Sequence, residues 1–451
     1  MKEDNQTDLI YTLADRPPVS DSIFAAFQHL LAIFVGIITP TLVIGGILGL
    51  GTEIPYLISM SLIVSGVATF IQIKRIGPIG SGLLSIQGTS FAFLGAILGA
   101  GMLIKSSGGS SQEILGVIFG MCFLGAFIEM ILSRFLHHLK KIITPTVTGI
   151  VVSLIGLSLI RVGLTDMAGG QWLLDNKPEL FGNFANLGLA FLVLIIIVVL
   201  NRSRNQFLRM SSIVIGLIAG YIVSLFLGIV DLSSLKDLPA VSIPIPFKYG
   251  FGFRWEAFIP IALVYLITTI ESIGDLTATS MVSHEPIQGE LYIKRIKGGV
   301  LGDGFNSALA AMFNTFPNTT FSQNNGVIQL TGVASRYVGM YIAGILVLLG
   351  LFPVIGGVFQ QMPKPVLGGA TIIMFGTVAA AGIKIIASQK IDRRAMMIIA
   401  ISFALGLGVQ LVPQVLNHFP ETLKNIFSSP VTTGGLTAII TNLALPDGVK
   451  K

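Results

Sequence analysis

The stretch AFIPIALVYLITTIESIGDLTATSM, residues 257–281, decides how this chain can fold. It is long enough to cross a bilayer as a helix, since about 20 consecutive apolar residues span the hydrocarbon core. It also carries two acidic residues, Glu271 and Asp275. An ionisable side chain at that depth costs about 2.5–3.5 kcal/mol on insertion scales, so such residues are candidates for function. The stretch therefore predicts a membrane protein that moves a polar solute.

The composition of the whole chain agrees with this prediction. Of 451 residues, 53% are hydrophobic and 11% are charged, and the mean hydropathy is +0.84. Soluble proteins have about a quarter charged residues. The first 22 residues are polar, and the apolar stretch after them continues into others rather than to a cleavage site, so we expect no signal peptide. The single cysteine, Cys122, excludes a disulfide framework, and we expect no metal and no cofactor.

Apolar stretches of spanning length recur along the chain, each bounded by charges, Pro or Gly clusters. We place fourteen, at residues 23–47, 54–73, 84–104, 113–136, 142–162, 183–201, 211–230, 257–281, 297–314, 319–334, 337–356, 365–387, 395–412 and 426–445. The fold class predicted is an all-α integral membrane protein with fourteen transmembrane spans, numbered here in this order.

The basic residues predict the orientation of these spans. The net charge of +6 could indicate nucleic acid, but Lys and Arg lie in small groups between apolar stretches, so we expect no nucleic-acid partner. With fourteen spans, 20 of the 28 Lys and Arg residues fall on the side of the termini. By the positive-inside rule both termini are cytoplasmic, including an N-terminal segment of residues 1–22.

Spans 3 and 10 are short and interrupted by polar residues. They read SIQGTSF at residues 85–91 and TTFSQNNG at residues 319–326. Broken polar segments at membrane depth survive only where they line a cavity. These two spans are therefore expected to border an internal site.

Spans 5 and 12 suggest an internal repeat. Their Pro-Gly-Gly patterns share offsets of 4 and 11 residues: Pro145, Gly149 and Gly156 recur 220 residues later as Pro365, Gly369 and Gly376. Spans 7 and 14 each open with paired serines. Seven spans per repeat would force the halves into opposite orientation, and broken spans at matching positions of inverted repeats point to a transport site near the midplane. The alternative is coincidence, because Pro and Gly are common in membrane helices.

Four ionisable residues within spans are candidates for the site. Glu271 and Asp275 lie one helical turn apart on one face. Two carboxyls this close in a low dielectric resist simultaneous ionisation, so one is expected to hold a proton near neutral pH, which suits a proton-coupled carrier. Asp303 in span 9 and His29 in span 1 are the others. The alternatives are carboxylates satisfied at a helix end, to which the glycines around Asp303 would fit, and a histidine that only packs.

Glu129 in span 4 is interpreted differently. It lies within about two turns of Arg134 and the cytoplasmic end of the span, where a long side chain can reach water. The prediction is a snorkelling residue without function.

Span 10 also supplies carboxamides at the start of a helix, Gln323, Asn324 and Asn325. A carboxamide donates and accepts at once, as the amide-like edge of a heterocycle requires. Phe91 in span 3 could stack on a planar ligand, and Ser90 could add a hydrogen bond. The alternative is that these amides only satisfy a helix break.

These residues resemble the nucleobase–ascorbate transporter family, and especially its bacterial xanthine permeases. Residues 323–332, QNNGVIQLTG, are similar to the family signature of Gln-Asn-x-Gly, four variable residues and Thr. Gln28-His29 resembles the family's histidine in helix 1, and residues 271–275, ESIGD, resemble its acidic helix 8. The similarity covers nearly the whole chain.

The resemblance implies a core domain of spans 1–4 and 8–11, residues 23–136 and 257–356. It implies a gate domain of spans 5–7 and 12–14, residues 142–230 and 365–445. Short antiparallel strands in spans 3 and 10 would frame the site. The protein would be a homodimer surrounded by lipid in a bacterial inner membrane.

The resemblance also implies roles for single residues. Glu271 and Gln323 would bind a purine directly, Phe91 would stack on it, and the main chain around Ser90 and Ser322 would hydrogen-bond to it. Asp275, Asp303 and His29 would support the site and a proton relay, while Asn324 would tune affinity and specificity.

Substrate and coupling ion stay open between alternatives. Bacterial xanthine permeases often have Asn where this chain has Ser90, whereas relatives that accept uric acid often have a small or hydroxyl residue there. Asp275 matches the xanthine type, so xanthine comes first and uric acid second, with a proton or sodium as coupling ion. An anion carrier of related architecture and a channel are the rivals. An enzyme is not expected, since no nucleophile–base pair, metal set or phosphate loop occurs.

Overall fold

The structure is a computed structural model that describes residues 9–136 and 144–445. The predicted segment 1–22 and the first residues of span 5, predicted from residue 142, lie partly outside the described residues.

The described chain is mostly helical. The first half contains α1 (Val19–Leu48), α2 (Ile54–Lys74), α3 (Leu94–Ser106), α4 (Ser111–Leu132), α5 (Pro145–Met167), α6 (Gln171–Asn176), α7 (Phe184–Asn201), α8 (Gln206–Met210) and α9 (Ser212–Phe226). The second half contains α10 (Trp255–Val282), α11 (Gly289–Met312), α12 (Gln323–Thr331), α13 (Arg336–Gly350), α14 (Pro353–Gln360), α15 (Lys364–Ala387), α16 (Arg393–Leu411), α17 (Glu421–Phe427) and α18 (Pro430–Ala444). Two short strands, β1 (Gln87–Thr89) and β2 (Asn318–Thr320), precede α3 and α12.

A helix lies in each of the fourteen predicted stretches. Within the described residues, eight helices are long and apolar enough to cross a membrane, or nine if α13 and α14, bent by 75° at their junction, form one span. Helices α3 and α9 are apolar but shorter. Length and composition alone therefore support many membrane spans without reaching the count of fourteen.

Helix α11 begins at Gly289, eight residues before the predicted start of span 9 at residue 297. The hydropathy pattern missed this first part because it carries Lys294, Arg295 and Lys297. Lys and Arg end an apolar run, but they are good helix formers and do not end a helix.

The helix packing follows the predicted pairing of spans 1–7 with spans 8–14. Helix α2 packs on α13 and α4 packs on α11, so spans 2 and 11 make the same contact as spans 9 and 4. Helix α7 packs on α9 as α16 packs on α18. Helices α5 and α15 are spans 5 and 12, which the repeat matches with each other, and they pack together along their length. Such paired contacts are expected when two halves share one topology.

Glycines bring α5 and α15 together. A Cβ added at Gly156 would lie 2.3 Å from the backbone nitrogen of Ala379, and one added at Gly149 would lie 2.7 Å from the carbonyl oxygen of Gly382. The repeat counterpart of Gly156 differs, because a Cβ at Gly376 would meet nothing within 4 Å. The shared Pro-Gly-Gly spacing thus serves close packing at Gly149 and Gly156 and leaves Gly376 without that constraint.

We predict that Gly156→Ala lowers the thermal unfolding midpoint of the detergent-purified protein. Overpacking a tight contact costs about 1–3 kcal/mol. The matched control is Gly376→Ala, which adds the same methyl group in open space and should leave the midpoint unchanged or raise it, since Ala favours a helix by about 1 kcal/mol over Gly. Equal midpoints for the two variants would show that the α5–α15 contact tolerates expansion.

Candidate functional site

The strands β1 and β2 pair with each other at the centre of the site. They pair antiparallel, with Gln87 opposite Thr320 and Thr89 opposite Asn318, and both are buried. A backbone hydrogen bond next to the strands extends this pairing, since Ser90 N donates to Pro317 O at 2.8 Å. Each strand leads into a short helix, α3 or α12, so the polar breaks in spans 3 and 10 are strand-to-helix junctions. Half-helix N-termini that meet inside a bundle are a common frame for a transport site.

Asp303 is a hydrogen-bonded hub behind the strands. Its side chain is fully buried. Oδ1 accepts from Gln72 Nε2 at 2.8 Å and from Gln87 Nε2 at 2.9 Å, while Oδ2 accepts from the Ser272 hydroxyl. Asp303 lies within α11, so the alternative of a helix-end carboxylate is wrong. One carboxyl therefore joins α2, β1, α10 and α11.

Gln72 is a residue that the sequence analysis missed. Its Nε2 also donates to Gly299 O at 3.0 Å, and its Oε1 accepts from Ser81 N at 2.9 Å. The side chain thus connects α2 both to α11 and to the chain that leads into β1. The available signal was a carboxamide near the end of an apolar span, which must find partners when it is buried.

Glu271 and Asp275 are more accessible than Asp303. Both side chains are half-buried on α10, and Glu271 Oε2 has no hydrogen-bond partner among the described residues. One turn beyond Asp275, the Thr279 hydroxyl donates to Asn325 Oδ1 at 2.7 Å. This bond fastens α10 to α12, whose first residue is the half-buried Gln323. The structure therefore holds the two predicted ligand helices side by side.

His29 lies on α1, which packs against α12. It is fully buried, with its ring beside the Asn324 side chain. The Asn324 amide donates to Leu84 O, so it joins α12 to the segment before β1. His29 is thus placed with Asn324 behind the helix start.

Phe91 marks the side of the site that faces α15. Its half-buried ring packs edge-on against Phe375, with 5.7 Å between centroids and an interplanar angle of 82°. Ser90 is buried, and its hydroxyl has no partner in the described part of the chain, whereas Ser322 is exposed. Through Phe375, Phe91 contacts the α5–α15 side of the molecule.

Glu129 overturns its sequence-based interpretation. Its side chain is 1% exposed, so it does not reach water at the end of α4. The face of α4 that carries Glu129 packs against α10 and α11, and the Ser272 hydroxyl lies within reach of its carboxyl. Its charged neighbours are Asp303 and Glu271. The snorkelling prediction was wrong because the span's amphipathic pattern does not reveal which helices cover that face.

Among the residues that the structure describes, no cation pairs with the four carboxyls of Glu129, Glu271, Asp275 and Asp303. In the described ranges the ion pairs are Lys248–Glu53, Arg254–Glu113 and Arg295–Glu285, all away from the site. Residues 9–136 and 144–445 contain no group of three or more His, Cys, Asp and Glu side chains that could hold a metal ion. The arrangement can accept N–H donors and hold protons.

Comparison with known proteins gives a consistent family. Residues 20–415 match the family model described as Permease family. The chain is 51% identical over 444 residues to the xanthine permease XanP of Escherichia coli (strain K12), covering 98% of this chain and 95% of that protein. It is 48% identical over 446 residues to the xanthine permease XanQ of the same strain, covering 99% and 95%.

A solved structure shares the fold. The murine anion transporter Slc26a9, in an inward-facing state, superposes with a TM-score of 0.67 at 12% identity, covering 96% of this chain and 69% of that one. At this identity the likeness concerns the fold alone.

We predict that Gln72→Met lowers the thermal unfolding midpoint. Methionine fills a similar volume but removes the hydrogen bonds to Asp303, Gly299 and Ser81, and each buried polar group left without a partner costs about 1–3 kcal/mol. Gln112→Met, at an exposed position in the first turn of α4, is the control and should unfold like the wild type. A wild-type midpoint for Gln72→Met would show that Asp303 does not depend on this amide.

Proposed function

This chain belongs to the nucleobase–ascorbate transporter family, the permease family whose model it matches, and from this premise we propose that it carries purine bases, xanthine first, across a bacterial inner membrane. Two relatives at 51% and 48% identity are named xanthine permeases. The observation that carries the proposal is the pair of helices α10 and α12, which Thr279 and Asn325 hold together with Glu271 on one and Gln323 on the other.

The chemistry of these two side chains fits a purine. A purine dione presents adjacent N–H donors and carbonyl acceptors around a planar ring. The carboxylate of Glu271 accepts from an N–H, and the Gln323 amide donates to a carbonyl and accepts from an N–H. Phe91 supplies a face for stacking. The backbone around Ser90 and Ser322 supplies further hydrogen bonds.

We assign the other candidates to support. Asp275 and Asp303 hold and exchange protons around Glu271, while His29 acts through Asn324, which tunes affinity from behind the helix start. The buried positions of His29, Asn324 and Asp303 support this division, because a substrate that stays in the accessible part of the site reaches none of them directly.

For the architecture we propose fourteen spans in a 7+7 inverted repeat, with both termini cytoplasmic. The core domain comprises spans 1–4 and 8–11, and the gate domain comprises spans 5–7 and 12–14. The paired helix contacts support the repeat, and the polar network within α2, α4, α10, α11 and the strands supports a core that moves as one body.

Transport then follows from motion of the core against the gate. A proton from the periplasm enters the acidic cluster, which consists of Glu271, Asp275 and Asp303. The purine docks between Glu271 and Gln323, and the core shifts to expose both proton and purine to the cytoplasm. Coupling arises because the protonated and deprotonated carriers differ in substrate affinity. The protein uses a proton as coupling ion and no cofactor.

A homodimer in the lipid bilayer completes the proposal. The buried share of the spanning window is 22% in α7 and 17% in α16, compared with 83% around α2. These two helices occupy matching places in the two halves and leave apolar faces for lipid or a second copy.

An anion carrier is the alternative that the fold favours, since Slc26a9 is an anion transporter. The side chains of the site oppose it. The ionised carboxylates of the site have no paired cation in the described chain and would repel an anion.

Uptake of radiolabelled xanthine and uric acid in transporter-deficient cells tests this function. We expect xanthine to accumulate, a protonophore to abolish accumulation, and cross-competition to rank the two purines. If neither purine accumulates, the substrate assignment is wrong. If accumulation follows a sodium gradient instead, the coupling ion is wrong.

We predict that Glu271→Gln reduces xanthine uptake at least about tenfold, because a hydrogen bond to a charged group contributes about 1.5–3 kcal/mol. Glu256→Gln is the matched control, an exposed glutamate in the first turn of the same helix, and should transport like the wild type. Full proton-coupled uptake by Glu271→Gln, at equal membrane abundance, would contradict the proposed site.

A further inference from the structure

Beside the acidic cluster lies one more carboxyl, which the proposed mechanism does not use. Glu129 of α4 is as buried as Asp303, and its Oε1 has no hydrogen-bond partner among the described residues. If Glu129 were ionised, this oxygen would have neither solvent nor a donor. Burying a charge in that way costs several kcal/mol.

The groups that face Glu129 explain which form it takes. From α10 it is approached by Glu271, Ser272 and the buried phenol of Tyr265, whose hydroxyl donates to Cys122 O at 2.8 Å on α4 itself. From α11 it is approached by Asp303. None of these groups is a cation, and two are acids, so the surroundings favour a neutral Glu129.

Hydrogen-bond counting at Ser272 gives the same answer. A serine hydroxyl has one proton to donate and two lone pairs. The Ser272 proton is directed to Asp303 Oδ2, and Asp303 Oδ1 already accepts from two amides. Three donors identify Asp303 as the ionised member. A bond between Ser272 and Glu129 then requires that Glu129 be the donor and hence hold a proton.

We propose that Glu129 is the proton-holding partner of Asp303 and that the Ser272 hydroxyl connects them as a relay, which sets the pH response of transport. The transfer balances: the Glu129 proton moves to Ser272 Oγ while the Ser272 proton moves to Asp303 Oδ2. Glu129 ends as a carboxylate, Asp303 as a carboxylic acid, and Ser272 is unchanged.

The position of the relay suits proton coupling. Glu271 and Asp275 are half-buried and accessible to substrate, whereas Asp303 and Glu129 are sealed. A proton that rests on the sealed pair leaves Glu271 free to ionise and accept a purine N–H. The inference rests on the proposed function for its role in coupling, while the protonation of Glu129 is independent of the substrate.

Glu129→Gln tests the role in coupling, because glutamine reproduces the neutral donor and removes the exchangeable proton. We expect xanthine exchange across the membrane to stay within about threefold of the wild type, since the substrate contacts remain. Accumulation against a gradient should fall to equilibrium, and uptake should no longer rise as the external pH is lowered. Glu113→Gln, at an exposed position of the same helix, is the control and should keep both properties.

A wild-type accumulation ratio and pH profile in Glu129→Gln would overturn the proposal. If that variant does not reach the membrane, Ser272→Ala decides, because it removes the connecting hydroxyl and leaves both acids. A flattened pH profile in Ser272→Ala supports the relay, and an unchanged profile overturns it.

Infrared spectroscopy of the purified protein separates this inference from the substrate assignment. The carbonyl stretch of a protonated carboxyl should be weaker in Glu129→Gln than in the wild type and unchanged in Glu113→Gln. If the wild type takes up no purine but the band is lost, the proposed function fails and the protonated Glu129 stands. If wild-type uptake is normal but the band is retained, only this inference fails.

Discussion

An ionised carboxylate that is buried in a membrane protein without a cation must be stabilised by hydrogen-bond donors, and Asp303 imposes this constraint on the core of the molecule. It draws amides from Gln72 and Gln87 and a hydroxyl from Ser272. These donors come from three different elements, α2, β1 and α10. The solvation of one acid therefore fixes how two long helices and a strand lie around α11, and a single misplaced donor would leave a buried charge uncompensated.

The strand pair follows from the same constraint. A chain at membrane depth can leave the helical conformation only if its backbone groups find partners. In β1 and β2 they find each other, and Gln87 of β1 adds its side chain to Asp303. The helices α3 and α12 can then begin inside the bundle. This places Phe91 and Gln323 at helix starts within the protein, where a ligand meets unpaired backbone donors.

The four carboxyls of the site differ in how accessible they are. Glu271 and Asp275 are half-buried, and Asp303 and Glu129 are sealed behind them. Groups of one chemical type in such different surroundings favour different protonation states. The close, glycine-mediated contact of α5 with α15 lies outside this network, and Phe91 against Phe375 is a contact between the two parts. The polar network stiffens one side of this contact, and close apolar packing stiffens the other.

The sequence by itself determined the membrane class, the helical stretches, the two breaks, and the positions of Glu271, Asp275, Asp303 and His29. Each of these depends on local properties, since spanning length and the cost of an ionisable residue can be read within about 20 residues. The signature at residues 323–332 added the family, and the comparisons confirmed it.

Only the tertiary structure decided which polar residues meet. Gln72 was not among the predicted site residues and donates to Asp303. Glu129 was expected to reach water and is buried where α4 packs against α10 and α11. The start of α11 was misplaced because hydropathy indicates which residues lie in the bilayer, whereas the helix continues beyond them. For Gln72 and Glu129 the physical reason is the same: the environment of a side chain is set by the helices that pack on its face, and these come from parts of the chain far away in the sequence.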